Sequence, residues 1–172
     1  MQFNRREFGK LAALGIAGLA VNSSRAEIDN SDRLNVNLFS KHLQFLDYQD
    51  MADATAEMGF DGVDLTVRPG GHVLPERAED DLPKAVEAIK RAGMSPKMLV
   101  SRLTSVDDKD GIQSLKTAAK LGFTHYRTGN FRPRKGTSLL ENLEFCQNEL
   151  DGLEAFNREQ GLHGAHQNHA GK

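Results

Sequence analysis

The sequence predicts a parallel α/β fold in which short strands alternate with helices. Three observations indicate this fold. Strand-like segments recur about every 30 residues, beginning near Asn35, Gly62, Pro96, Thr124 and Leu162. An amphipathic helical segment follows each of the first four strands. A glycine ends each helix just before the next strand, at Gly59, Gly93, Gly122 and Gly161. This rhythm is typical of parallel strands that are joined by right-handed crossovers.

Two parallel folds fit this rhythm, a closed (β/α)₈ barrel and a doubly wound open sheet. The doubly wound nucleotide-binding fold has a glycine-rich turn after its first strand, and residues 39–46 contain no glycine. The barrel is therefore favoured. A barrel needs eight units and about 250 residues, whereas this chain of 172 residues supplies five strands and four helices. We expect an incomplete barrel, with open apolar edges that another chain would have to cover.

The first unit begins with a strand over residues 34–40. The two faces of this strand alternate, with Leu34, Val36 and Leu38 on one and Asn35, Asn37 and Phe39 on the other. Asp47 is the expected N-cap of a helix that continues to about Met58. Gly59 ends it.

The second unit begins with a strand over residues 60–67. Its apolar face and its polar face consist of Val63, Leu65 and Val67, and of Asp64, Thr66 and Arg68, respectively. A loop over residues 68–75 follows. Asp81 is expected to cap the next helix, with Pro83 in its first turn, where the missing N–H of proline costs nothing.

The remaining units follow the same pattern. Strands are predicted over residues 94–101 and 123–129, and a fifth strand follows Gly161. Helices are predicted over residues 112–121 and 139–160, and Ser138 is the expected cap of the longer one. The apolar stripe of that helix consists of Leu139, Leu143, Cys146, Leu150, Leu153 and Phe156.

The first 26 residues read as an export signal. Asn4-Arg-Arg-Glu-Phe-Gly-Lys10 resembles the twin-arginine motif, and an apolar run and a small-residue cleavage site, Ser24-Arg-Ala26, follow it. The apolar run is about half as long as a membrane-spanning helix, so no membrane span is expected in the mature chain. The expected organisation is a signal peptide over residues 1–26 and one domain over residues 27–172, located in the periplasm or otherwise exported.

Charge and composition exclude several classes of protein. The leader holds four basic residues and one acidic residue. Its removal would therefore change the net charge from −2 for the full chain to −5 for the mature chain. An acidic surface argues against nucleic acid as a partner. Cys146 is the single cysteine and gives neither a disulfide nor a zinc framework. The sequence contains no serine-hydrolase, P-loop or zinc-protease motif.

The second strand carries the first candidate site residues. Asp64 and Arg68 share its polar face, which points to the axis in a barrel that is covered by helices outside. Arg68 then lies at the mouth, where its guanidinium is suited to a carboxylate, a phosphate or sugar hydroxyls. A structural pair between Arg68 and Asp64 is the alternative. His72 follows in a Gly-Gly-His turn, either as a binding residue or as a solvated loop histidine.

The fourth and fifth strands carry the others. Arg127 shares a face with His125 and lies nearer the mouth. Gln167 and His169 share the inward face of the fifth strand by the same period of two. His169 is the candidate proton-transfer group or metal ligand, and a hydrogen-bonding histidine at a strand end is the alternative.

Four segments of the sequence resemble a known family. They are VNLFSKHLQFL over residues 36–46, GVDLTVRPGGHV over 62–73, YRTG over 126–129 and QNHAG over 167–171. Together they are similar to the sugar phosphate isomerase/epimerase family, a group of xylose isomerase-like TIM barrels of which some branches have a twin-arginine leader. The resemblance extends over almost the whole mature domain, and the second segment is its most specific part.

The resemblance implies metal-assisted chemistry on a sugar or polyol. A divalent ion (Mn, Mg, Zn or Co) polarises a keto-sugar while an acid/base residue moves a proton next to the carbonyl. His169 would be catalytic, and the substrate-binding residues would be Asp64, Arg68, His72, Arg127 and Gln167. The main metal ligands of the family lie on later strands, which would fall beyond Lys172. We therefore expect a C-terminally truncated barrel that by itself neither binds the metal nor turns over substrate.

Two other functions remain open at this stage. One is a non-catalytic carbohydrate-binding half-barrel, either a homo-oligomer or completed by a second chain. The other is an endonuclease IV-like nuclease, which the acidic net charge disfavours.

Overall fold

The computed structural model describes residues 34–167, which form a five-stranded parallel sheet with the strands in sequence order. The strands are β1 (Asn37–Phe39), β2 (Gly62–Thr66), β3 (Met98–Val100), β4 (His125–Arg127) and β5 (His163–Ala165). The helices are α1 (Tyr48–Glu57), α2 (Ala78–Arg91), α3 (Lys109–Leu121) and α4 (Leu139–Gln160). Short 3₁₀ turns occur at Ser40–Leu43 and Pro75–Arg77. The prediction of parallel strands that alternate with helices is confirmed, and the described part corresponds to a partial TIM-barrel-like fold.

The register of the sheet aligns the carboxyl ends of its strands. Thr66 of β2 pairs with Val100 of β3, and Val100 pairs with Arg127 of β4. Arg127 in turn pairs with Ala165 of β5. Residues that end neighbouring strands therefore open into the same space, which is where parallel α/β proteins bind ligands.

The hydrophobic core lies between the sheet and the helices, with α4 contributing only its carboxyl-terminal part. Val63 and Leu65 of β2 and Leu99 of β3 are at most 1% exposed. Leu82 and Ile89 of α2 meet them from the other layer and are fully buried. Truncation of one of these side chains to alanine costs about 2–5 kcal/mol in well-packed cores. The period of two along β2 thus assigns one face to stability and leaves the other face for function.

Local hydrogen bonds explain where the helices begin. The Asp47 carboxylate accepts from the N–H of Asp50 at 2.9 Å, which confirms the predicted cap of α1. Ser138 and Glu141 form a reciprocal capping box at α4, since each side chain accepts from the other residue's backbone N–H. Helix α3 begins three residues before the predicted Ile112, because Asp108 accepts from the N–H of Gly111 at 3.0 Å.

The predicted start of α2 at Asp81 is wrong. The helix begins at Ala78, directly after the 3₁₀ turn, so Pro83 lies inside it and not in its first turn. Pro83 and Glu79 are both exposed, so water can satisfy the Glu79 carbonyl that proline leaves without a donor. Asp81 accepts instead from Arg77 at 2.7 Å and from Lys84 at 2.8 Å.

The apolar stripe of α4 is buried at only one end. Leu153 and Phe156 pack into the core as predicted. Leu139, Leu143 and Leu150 are 73%, 57% and 39% exposed. These leucines are exposed because α4 lies at the end of the described sheet. It leads into β5, which pairs with β4 alone among the described strands. Within residues 34–167, no helix is long and apolar enough to cross a membrane.

Candidate ligand-binding cavity at the carboxyl ends of the strands

A cavity of about 910 Å³ opens at the carboxyl ends of the five strands. Its volume is in the range of small-molecule sites in proteins. Each strand contributes one lining side chain at its last residue or two residues beyond it, namely Phe39, Arg68, Arg102, Arg127 and Gln167. Further side chains reach it from loops and from α4, namely Lys41, Gln44, Asn130, Phe131, Arg132 and Phe145. The fold therefore brings polar, cationic and aromatic groups together on the face that the core does not use.

Arg68 and Arg127 share one aromatic platform. The guanidinium carbon of Arg68 lies 5.7 Å from the centre of the Phe39 ring, and that of Arg127 lies 5.2 Å from it. Both distances are within the range of cation–π attraction. Phe39 belongs to β1, whereas the arginines come from β2 and β4, so the ring holds side chains from three strands together.

Gln167 and Arg127, which the sequence analysis assigned to the inward faces of their strands, lie side by side in the cavity lining. Nη1 of Arg127 donates to Oε1 of Gln167. His166 is not among the lining residues, but its Nδ1 is 3.1 Å from the hydroxyl of Thr128, which is one of them. The amide of Gln167 restrains the Arg127 guanidinium and leaves its own N–H groups for a ligand.

Asp64 lies on the same face of β2 as Arg68 but is not among the lining residues. Its Oδ1 is buried and has no hydrogen-bond partner within the described chain, and neither arginine forms an ion pair with it. Burial raises the pKa of Asp64 to about 6, and the positive charges of Arg127 and Arg68 only partly offset this. The predicted alternative of a tight Arg68–Asp64 pair is therefore not what the structure shows.

His72 lies behind the loop that carries Arg68. Its Nδ1 is 3.2 Å from the hydroxyl of Ser40, and its Nε2 is 3.1 Å from the carbonyl oxygen of Leu43. Its backbone N–H donates to the hydroxyl of Thr66 at 2.9 Å. Burial lowers the pKa of His72, so its ring is neutral at neutral pH. These contacts make His72 an anchor of the loop, and its role in substrate binding stays a prediction.

Sequence reasoning missed Arg102 as a lining residue, although a signal for it existed. Arg102 follows the end of β3 by two residues, as Arg68 follows the end of β2. The backbone there is fixed by Gly129, whose N–H donates to the carbonyl of Leu103 at 2.8 Å. A side chain on Gly129 would overlap the Arg102 carbonyl, so only glycine permits this approach.

The described residues do not supply a metal centre. No group of three His, Cys, Asp or Glu side chains within residues 34–167 is placed to hold an ion. The cavity lining in that range carries five basic side chains and no carboxylate, whereas divalent ions prefer carboxylate or imidazole ligands. The side chains that line the cavity in this range are therefore unsuited to the predicted divalent ion, and we assign no catalytic step to a metal. The predicted catalytic residue His169 lies outside the described residues.

Comparison with known proteins identifies a structural neighbour. No protein-family model matches the sequence, and no curated protein matches it significantly. The fold resembles the apo form of 3-keto-D-glucoside 4-epimerase from E. coli, with a TM-score of 0.57 and 14% sequence identity. The match covers 78% of this chain and 56% of the epimerase chain, so this chain spans little more than half the length of that neighbour. At 14% identity, this similarity is evidence for a shared fold only.

Proposed function

We propose that the cavity binds a sugar or polyol, and that the chain is the substrate-binding part of a sugar isomerase/epimerase-like protein. The observation that carries the proposal is that all five strand ends converge on one cavity through Phe39, Arg68, Arg102, Arg127 and Gln167. The structural neighbour, a sugar epimerase, supports the same class of ligand.

The chemistry of the lining suits a carbohydrate. Phe39, Phe131 and Phe145 offer apolar faces for the C–H groups of a sugar ring. Arg127, Gln167 and Asn130 offer donors and acceptors for hydroxyl groups. A few convergent polar groups within an aromatic wall fix the orientation of a bound ring.

The reaction that belongs to this proposal is proton transfer next to the carbonyl of a keto-sugar. The described residues would bind and orient the sugar, and the arginines would attract the negative charge that develops on the carbonyl oxygen. The proton-transfer role of His169 and the divalent metal of the family stay predictions. So does export through the twin-arginine pathway, which a reporter fused to residues 1–26 can check.

Titration of the purified chain with neutral sugars and keto-sugars tests this function. We expect saturable binding that weakens about tenfold or more in Arg127→Ala, which corresponds to the loss of about 1.4 kcal/mol. Arg91→Ala removes an exposed arginine from α2 and is the matched control. We expect no epimerisation by this chain, with or without Mn²⁺, Mg²⁺, Zn²⁺ or Co²⁺. Absence of all sugar binding would contradict the proposal.

The alternative of a half-barrel that a partner completes is favoured by a separate observation. Leu139, Leu140 and Leu143 form an exposed apolar strip in the first turns of α4. Such a strip marks an association surface or an aggregation liability. A partner-completed half-barrel would bind sugar at the same cavity, but it would need a second chain to complete the fold.

A further inference from the structure

We infer that the ligand of the cavity carries an oxyanion group, a carboxylate or a phosphate, which is bound by Arg68 and Arg127. The inference rests on the proposed function, because it specifies the class of sugar that the same site takes. It predicts that an acidic or phosphorylated carbohydrate binds more tightly than a neutral one.

The charge of the cavity is the first observation. Five basic residues line it, namely Lys41, Arg68, Arg102, Arg127 and Arg132. Among residues 34–167 no Asp or Glu joins them in the lining, although the whole chain has a net charge of −2. A cleft of one sign concentrates ligands of the opposite sign.

The arrangement of the two arginines is the second observation. Both guanidinium groups lie within 6 Å of the centre of the Phe39 ring, so two like charges surround one aromatic side chain. Burial lowers the pKa of Arg68, and the positive charges of Arg127 and Arg102 lower it further. An anion bound by both arginines would offset these positive charges.

The lack of an internal counter-charge is the third observation. Asp64 is the nearby carboxyl, but it makes no ion pair with either arginine and does not line the cavity. Arg68 has no hydrogen-bonded carboxylate anywhere in the described part of the chain. Its planar donors therefore remain available, and their geometry matches the two oxygens of a carboxylate or a phosphate.

A calorimetric comparison of four probes tests the inference. The purified chain is titrated with D-glucose, D-glucuronate, D-glucose 6-phosphate and inorganic phosphate at 50 and 200 mM salt. We expect the charged sugars to bind at least about tenfold more tightly than glucose, and the preference to shrink at the higher salt. The stronger of the two charged sugars identifies the carboxylate or the phosphate as the natural group.

Single-residue variants locate the site. Arg68→Ala and Arg127→Ala should each lose about tenfold or more of the affinity for the charged probes, whereas Arg91→Ala on α2 should lose none. Equal binding of glucose and both charged sugars would overturn the inference and leave the proposed sugar site intact. Inorganic phosphate that binds as tightly as glucose 6-phosphate would support the anion site and contradict the sugar function. A preference for the charged sugars that survives in a variant with both Arg68→Ala and Arg127→Ala, or no binding of any charged probe, would overturn the inference.

Discussion

Asp64 shows how one carboxyl group can set the charge of the whole cavity. Its position on β2 places it below two arginines, yet burial outweighs their attraction and leaves its pKa near 6. Below that pH the carboxyl is neutral and the arginines face a ligand with undiminished charge. Above it the ionised Asp64 offsets part of their charge. D-Glucuronate, whose carboxylate stays ionised over this range, should therefore bind more tightly at pH 5 than at pH 8 in a calorimetric titration.

The same shift makes stability depend on pH. Because the pKa of Asp64 in the fold is raised from 3.8 to about 6, its contribution to stability is fully present below about pH 4. That contribution is lost as the pH rises through about 6. Asn cannot ionise, so the Asp64→Asn variant does not lose this stability at high pH. Its free energy of unfolding, relative to that of the wild type, should therefore increase by about 1–2 kcal/mol from pH 4 to pH 7.5, after a reduction for partial solvent screening.

Urea unfolding of both proteins at the two pH values measures this difference. Asn148→Ala, which changes no titratable group at an exposed position of α4, is the control and should give the same difference from the wild type at both pH values. An unchanged advantage of Asp64→Asn between pH 4 and pH 7.5 would show that the carboxyl is ionised without cost in the fold.

At single residues, sequence reasoning succeeded where the period of two applies. Arg68, Arg127 and Gln167 were found because each continues the polar face of its strand. Phe145 was not found, because it lines the cavity from α4 and packs 4.3 Å from the guanidinium of Arg134. Such a contact depends on how a helix packs against a loop, and this packing cannot be predicted from a local sequence pattern.

At the scale of elements, the start of α4 depends on its capping box. Ser138→Ala removes the acceptor of the Glu141 N–H, which costs about 1 kcal/mol at a typical N-cap. The amide of Glu141 should therefore exchange with solvent about fivefold faster, because its first turn opens more often. Amide exchange followed by mass spectrometry or NMR measures this effect.

Ser138→Asp is the matched control for the capping box, because aspartate is an equally good cap. Its exchange should remain near that of the wild type. Equal exchange in the alanine variant would mean that other contacts, such as those of Asn142 with Thr137 and with the carbonyl of Ser138, hold the turn.

The elements also show why boundaries were harder to predict than their type. All five strands and four helices exist where the pattern indicated them. The start of α2 was misplaced because proline after an aspartate is a strong local signal for a first turn. In the fold, the 3₁₀ turn at Pro75–Arg77 runs directly into the helix and overrides that signal.

At the scale of the whole molecule, the apolar edge at α4 predicts association. Leu139 and Leu143 are more than half exposed, so we expect the purified chain to elute as a species larger than its 19.0 kDa monomer. Leu139→Glu combined with Leu143→Glu should shift it toward the monomer. Light scattering coupled to gel filtration measures the mass.

Asn148→Glu is the control for this experiment, because it adds charge to an exposed position of the same helix. It should leave the mass unchanged. A wild-type chain that is monomeric at high micromolar concentration would contradict the predicted association and would mean that these leucines stay exposed to solvent.

The arrangement of one lining residue per strand end has a consequence for how this protein can change. Substitutions at those positions, such as Arg102 or Gln167, alter the side chains that line the cavity and not those of the hydrophobic core. Ligand preference can therefore drift one unit at a time while Leu65, Leu99 and the rest of the core stay as they are. A scaffold built in this way is evolvable, since new specificities need neither a new fold nor a compensating change in the interior.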